Sequence, residues 1–494
     1  DGEYQYNGYE TIQVKEWESI PMPFEKGHAL DFFGGDLEGV RQKIPYLKEL
    51  GVTAVYLNPI FCAPSIHKYD CIDYFHVDQH FGGDEALAEL SKALHENDMK
   101  LILDISINHT GAAHKWFNRD NAFFDSSEGA YQNKDSKERG YYFFEENSDN
   151  YVCWCGVKNL PTLNYQSEDL RKVVYQDENS VLRKWLKPPY SIDGWRFDVA
   201  DVFARNNEVQ LAHEVWTQIR KCIKEENPDA YILAEDWGDC AGYLQGSEWD
   251  SPMNYFGCGR VIRQFLGLPD LFLERNEILK KVPYRMTAED VQNRIMQHLA
   301  KLPYVIWQNQ FNLLDSHDVP RIHNYKTVNQ DEYRGAVILQ FMLVGTPSIY
   351  YGDEVGIKGD IYGDEGYRYP MPWSQIPCSN DTYRLYQKLA HLKKEYKALT
   401  EGGMKFLYAK GDIIAVARFY EEEVFVAILS VSDQEQKIRL PLGSVGAARP
   451  KENRDLFGKE LTYRALDGRS IWMKVEAHQA YLMECIGIVE SMGN

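Results

Sequence analysis

The run IDGWRFDVA, residues 192–200, is apolar where a strand would be buried and charged where that strand would end. Ile192 to Phe197 reads as one strand of a parallel sheet. Arg196 and Asp198 fall on one side of it, because strand side chains alternate. The same shape recurs along the chain. LILDI (101–105) ends beside Asp104, YILAE (231–235) ends on Glu235, and FNLLD (311–315) runs into His317 and Asp318. VTAVYL (52–57) and SIYY (348–351) read as further strands, and the stretch near Met253–Tyr255 supplies a weaker candidate.

Helical patterns lie between these runs. Leu37, Val40, Ile44 and Leu47 recur at helical spacing, with Gly51 where a helix C-terminus favours glycine. LAHEVWTQIRKCIKEENP (211–228) is another, ended by Pro228. Leu385, Leu389, Leu392, Tyr396 and Leu399 form the stripe of a last helix capped by Asn380 or Asp381. Helix alternating with strand from about 36 to 400 predicts an α/β fold, a (β/α)8 TIM barrel.

Two segments break that rhythm. Residues 110–166 are rich in Asn, Asp, Glu and aromatics with little periodicity, which predicts a loop domain inserted into a catalytic barrel of residues 1–401. After Glu401-Gly402-Gly403 the period changes. IIAVARFY, EVFVAILSV, KIRLPL and the run around Ala480–Cys485 predict a C-terminal all-β sandwich domain over 402–494.

The 494 residues carry 74 acidic and 54 basic side chains, a formal charge of −20. That balance argues against nucleic acid or an anionic membrane as partner. No run of eighteen apolar residues occurs and the first residues have no basic stretch followed by an apolar core, so the expectation is a cytoplasmic protein. Nine scattered cysteines argue for free thiols. Cys153 and Cys155 lack a second pair at zinc spacing, and His76 and His80 sit four apart in what reads as loop.

A buried strand that ends in a carboxylate is costly unless the group is paired or used. One such end is as easily structural as functional; four are harder to dismiss. Glycoside hydrolysis needs a carboxylate anion as nucleophile and a carboxylic acid to protonate the leaving oxygen. Arg196, on the same strand face, would hold Asp198 ionised. Glu235, among apolar neighbours and other acids, suits the acid. The metal-assisted alternative lacks an H-E-x-x-H or any paired ligand spacing.

LILDISINHTG (101–111), GWRFDVA (194–200), YILAEDW (231–237) and NLLDSHDVPR (312–321) together resemble four consecutive signature segments of the α-amylase superfamily, glycoside hydrolase family 13. The resemblance implies a retaining hydrolase of α-1,4-glucosidic bonds in maltodextrins, cyclodextrins or pullulan. In it Asp198 is the nucleophile, Glu235 the acid/base and Asp318 the transition-state stabiliser. It also implies that His109 and His317 hydrogen-bond the sugar, that Arg196 flanks the nucleophile, and that Tyr69 of HKYD (67–70) is the aromatic platform. Trp237 reads as a platform for an acceptor sugar or as a buried structural ring. No cofactor is implied, although Asn108 matches a residue that often holds a structural calcium in this family. The segments FFGGDLEGV (32–40), AVYLNPIF (54–61) and LPTLNYQSEDL (160–170) are similar to the cyclomaltodextrinase, neopullulanase and maltodextrin glucosidase group. Thr162, Val202 and Gly238 depart from that group's usual Lys, Glu and His, which leaves the preferred glucan open. Transglycosylating, isomerising and non-catalytic, sugar-binding relatives are the alternatives. Members of the cyclomaltodextrinase and neopullulanase group often dimerise through an N-terminal β-sandwich with no counterpart in this sequence, so a monomer is expected.

Every (β/α)8 barrel begins with a strand, yet the first clear element here is the helix at 36–50. ETIQVKEW (10–17) is too polar for a central parallel strand, which is buried on both faces. The expectation is therefore that the first strand is missing from this sequence and that the natural gene extends upstream.

Overall fold

The computed structural model describes residues 12–14, 16–22, 31–146, 148–270, 285–361, 364–376 and 380–488. Packing divides the chain into two units, Asp1–Asp236 with Gly242–Pro252, and Trp237–Ala241 with Met253–Asn494.

The first unit is built on five parallel strands: β1 (Ala54–Leu57), β2 (Lys100–Ile105), β3 (Gly194–Phe197), β4 (Tyr231–Ala234) and β5 (Ser251–Pro252). They lie side by side in chain order, as successive right-handed β/α units place them. The helix expected over 36–50 forms as two pieces, Leu37–Gln42 and Ile44–Leu50. Pro45 at the start of the second has no N–H to carry the first onward. Asp36 caps the first by accepting from the Gly39 amide, and Gly51 closes the second at φ 100°. Gly194 is required where β3 meets β4, since a Cβ there would lie 2.5 Å from the Tyr231 carbonyl oxygen.

Burial along this sheet is uneven. All of β3 is buried and β2 is buried after Lys100, whereas in β1 Ala54 is exposed and Val55 to Leu57 are only half-buried. The run VTAVYL was expected to be buried like the others. It is not, because β1 is an edge strand, paired with β2 alone among the described residues. Ile12–Gln13, inside the candidate ETIQVKEW, pairs in parallel with Asp31–Phe32 and not with β1. The insertion over 110–166 is mostly turns and short bridges. Its return hairpin is sewn to the end of β2 by Thr110 N–H to Pro161 O (3.2 Å) and Leu163 N–H to Asn108 O (2.9 Å).

The second unit opens with Met253 bridged to Phe311 and holds a parallel pair, β6 (Phe311–Leu313) and β7 (Thr346–Ser348). The strand expected at 348–351 thus lies earlier. Thr346 donates to Gln310 O (2.8 Å), which fixes the register, and Tyr350 and Tyr351 leave the ladder to donate their hydroxyls to Tyr367 O and Tyr369 O. The last long helix, Asp381–Glu395, is capped by Asn380, whose side chain accepts from the amides of Thr382 and Tyr383.

From Gly403 the strands are antiparallel. Gly403–Lys410, Ile413–Tyr420, Glu423–Ser430, Ala480–Gly487 and Ala447–Pro450 form one sheet; Gln436–Leu440, Ile471–Val475 and Tyr463–Ala465 form another. Alternate side chains of both enter one apolar cluster, with Val424, Val426 and Ile428 from the larger and Ile438, Leu440 and Met473 from the smaller.

Candidate active site

Tyr69, Asp104, His109, Arg196, Asp198 and Glu235 belong to the first unit; Trp237, His317 and Asp318 to the second. In the first, strand register does the assembling. Asp104 of β2 stands directly opposite Arg196 of β3, and the Glu235 amide donates to Phe197 O as β4 ends. Charged side chains of three neighbouring strands thereby converge at the C-terminal end of the sheet, where β/α folds place their chemistry.

Arg196 is the hub. Its side chain is fully buried and touches three carboxylates: Asp104 at 3.0 Å, Asp198 at 3.1 Å and Glu235 at 2.9 Å. Nη1 serves the two aspartates and Nη2 faces the glutamate. Glu235 Oε2 also accepts from the Val199 amide (2.9 Å). Its setting thus differs from the apolar one anticipated, because its nearest polar neighbours are donors.

Asp104 is buried and accepts from Tyr56 Oη (2.8 Å), Tyr69 Oη (3.0 Å) and Arg196. Burial pushes its carboxyl up to about 6 against the pull of Arg196 and the two hydroxyls. Tyr69 is thereby fixed to the cluster through its hydroxyl, with His67 stacked at 6.0 Å. His109 is bonded separately, with Nε2 3.1 Å from Ser106 Oγ and the Trp154 ring 5.6 Å from its own. Burial lowers it to about 3, so it is a neutral hydrogen-bonding group. Thr162 forms the bridge opposite His109.

In the second unit Asp318 and His317 face each other, Nε2 to Oδ2 at 3.2 Å, and Arg368 lies 3.7 Å from the other carboxylate oxygen. Arg368 Nε donates to His317 O (2.9 Å). Trp237 stacks on Tyr255 at 3.9 Å, and Tyr255 Oη meets Ser316 Oγ, which accepts from the Asp318 amide. Trp237 is 8% exposed and Tyr255 covers one of its faces.

Asn108 is buried, with its amide nitrogen 3.3 Å from His109 Nδ1. Asp315, His323 and Asp353, which the sequence did not single out, have ligand spacing. Arg263 already holds Asp315 at 2.8 Å and Arg321 holds Asp353 at 2.6 Å, so both carboxylates are neutralised without an ion. The eight described cysteines are all free. His76 and His80 pair with Asp73 and Asp78 rather than with each other.

Two carboxylates on neighbouring strand ends, tied to one buried guanidinium, are the equipment of a glycoside-cleaving enzyme on a parallel β/α scaffold. Residues 13–376 match the family described as alpha amylase, catalytic domain. The chain belongs to the α-amylase family. It is 32% identical over 457 residues to Neopullulanase 2 of Thermoactinomyces vulgaris, covering 89% of this chain and 71% of that protein. A cyclomaltodextrinase of Geobacillus thermopakistaniensis is 32% identical over 442 residues, covering 89% and 69%. Among solved structures, the debranching enzyme from Nostoc punctiforme superposes with a TM-score of 0.77 at 26% identity, covering 97% of this chain and 98% of that one.

Proposed function

We propose that this chain is a retaining hydrolase of α-1,4-glucosidic bonds in short maltodextrins, with cyclodextrins and pullulan as further substrates. The observation that carries it is the sharing of Arg196 by Asp198 and Glu235. A cation 3.1 Å from Asp198 favours its anion, the form that attacks the anomeric carbon and displaces the glycosidic oxygen. Glu235 protonates that oxygen, and the sugar arriving there displaces its contact with Arg196. In the second step Glu235 takes a proton from water, which attacks the glycosyl–Asp198 ester, so the configuration is retained. Asp318 and His317 bind the distorted sugar, and Tyr69 and His109 line its position. The chemistry needs no cofactor. A structural calcium held by Asn108 would serve the fold, and no step passes through it.

Family membership and the names of the relatives support the substrate class. The same reading takes the parallel strands as seven of eight in a (β/α)8 barrel and the C-terminal sheets as a β-sandwich. It takes the protein as a cytoplasmic monomer that engages neither nucleic acid nor membrane. No described helix is long and apolar enough to cross a membrane.

The test is incubation with maltoheptaose, β-cyclodextrin and pullulan, followed by chromatography and by proton NMR of the first product. Glucose or maltose released as the α-anomer by wild type, and not by Asp198→Asn, is the expected result. Product of inverted configuration, or undiminished turnover by Asp198→Asn, overturns the mechanism. Transglycosylation shows as products longer than the substrate.

A further inference from the structure

β1 contributes one polar side chain to the cluster described above, and none of the strand-end motifs contains it. Tyr56 is half-buried, and its hydroxyl donates to Asp104 Oδ2 at 2.8 Å. From there the contacts run without a gap. Asp104 meets Arg196 at 3.0 Å and Arg196 meets Asp198 at 3.1 Å. The hydroxyl of Tyr56 is thus two side chains from the proposed nucleophile.

Asp104 and Asp198 draw on the same nitrogen, Arg196 Nη1. The placement of that nitrogen beside Asp198 therefore depends on the charge that Asp104 keeps. Two other hydroxyl donors face Asp104, Tyr56 and Tyr69, and both reach Oδ2. Tyr69 is already assigned to the sugar. Tyr56 reaches Asp104 from the neighbouring strand, where it is paired with Ile102.

We propose that Tyr56 is a positioning residue for the nucleophile, acting through Asp104 to hold Arg196 in place. This rests on the glycosidase reading above. The groups facing Asp104 are the Tyr56 and Tyr69 hydroxyls and the Arg196 guanidinium, with Asp198 and Glu235 on the far side of that guanidinium. A hydroxyl that donates to a carboxylate favours the ionised form, so its loss makes Asp104 easier to protonate. A protonated Asp104 gives up its claim on Arg196 and loosens Tyr69 at the same time.

Tyr56→Phe removes the one oxygen and keeps the ring. The expected result is kcat lower by about three- to tenfold with KM within about twofold of wild type. The acid limb of the kcat profile should also move up by about half a pH unit or more. A purely structural Tyr56 would lower the melting temperature and scale activity equally at every pH, and superimposable profiles overturn the proposal. Carbon-13 NMR titration of the Asp104 carboxyl, assigned by its loss in Asp104→Asn, reads the same contact without turnover. A higher titration midpoint in Tyr56→Phe supports the proposal, and an unmoved one overturns it whether or not the protein cleaves maltodextrin. Failure of the glycosidase reading shows separately, as wild type that releases no sugar.

Discussion

Arg196 and Glu235 form an ion pair of 2.9 Å between side chains that are 0% and 10% exposed. The guanidinium is the only cation that the described contacts give to Asp104, Asp198 and Glu235 together. Its neutral replacement, Arg196→Met, leaves three carboxylates crowded at the sheet end. Unfolding in urea should show a loss of about 3–5 kcal/mol, the cost of breaking a buried pair from one side. An unchanged midpoint would mean that the carboxylates find another partner.

Lys68 adjoins the proposed sugar platform Tyr69, and its side chain is buried completely. It pairs with Asp78 at 2.7 Å, donates to Ala63 O at 2.7 Å and lies 5.0 Å from the Phe32 ring centre. Lys68→Met should cost about 3–5 kcal/mol by leaving the buried Asp78 with His80 and backbone amides but no lysine, whereas Lys68→Met with Asp78→Leu should recover much of that loss. Denaturation of wild type, Lys68→Met, Asp78→Leu and the double variant closes the cycle. Additive losses would show that the two side chains do not act as a pair.

His109 and His114 are both lowered to about 3, chiefly by burial. A histidine held neutral in the fold contributes stability that is complete above its unfolded value of about 6.5 and is lost as pH falls toward 3. The urea midpoint should therefore drop steadily between pH 6.5 and 4. His114→Asn, which keeps an acceptor for the Trp116 amide, should flatten the drop, because one of the two groups no longer binds a proton on unfolding. A parallel decline in variant and wild type would assign the acid sensitivity elsewhere.

His478 acts with the opposite sign. Glu332 at 2.7 Å and Asp433 at 2.9 Å raise it above its ordinary value, with the hydrogen bond that Glu332 accepts first. Its contribution is present below about pH 6.5 and fades as pH rises through the elevated folded value. His478→Gln should lower the melting temperature at pH 6 and leave it nearly unchanged at pH 9. Equal effects at both pH values would rule out the charge as the cause.

The convergence of Asp198 and Glu235 on Arg196 was legible because its signal is local. Apolar period and terminal charge lie within seven residues of one another in GWRFDVA and YILAEDW, and a parallel sheet turns such ends to one side. Tyr56 was not legible in this way. Its partner Asp104 lies 48 residues on, and nothing in VTAVYL says which side chain will meet it. The burial of β1 was misjudged for a related reason. An apolar run shows that a strand can be buried, while the neighbours that bury it are set by the rest of the chain. The strand at Thr346–Ser348 was displaced from its expected place because pairing with Phe311–Leu313, rather than the apolar residues Ile349 to Tyr351, chose the register.

β1 has a consequence for the protein in the test tube. One side of Ala54–Leu57 has no ladder among the described residues, and Ala54 with Asn58 is open to water. A strand edge of that kind is a template on which an extended chain can add itself. Purified material should self-associate increasingly as it is concentrated. The species that form should bind thioflavin before the helices melt, and a charge at Val55 should delay them more than a charge on a distant loop. Shelf life is then set by a backbone edge rather than by the depth of the cores.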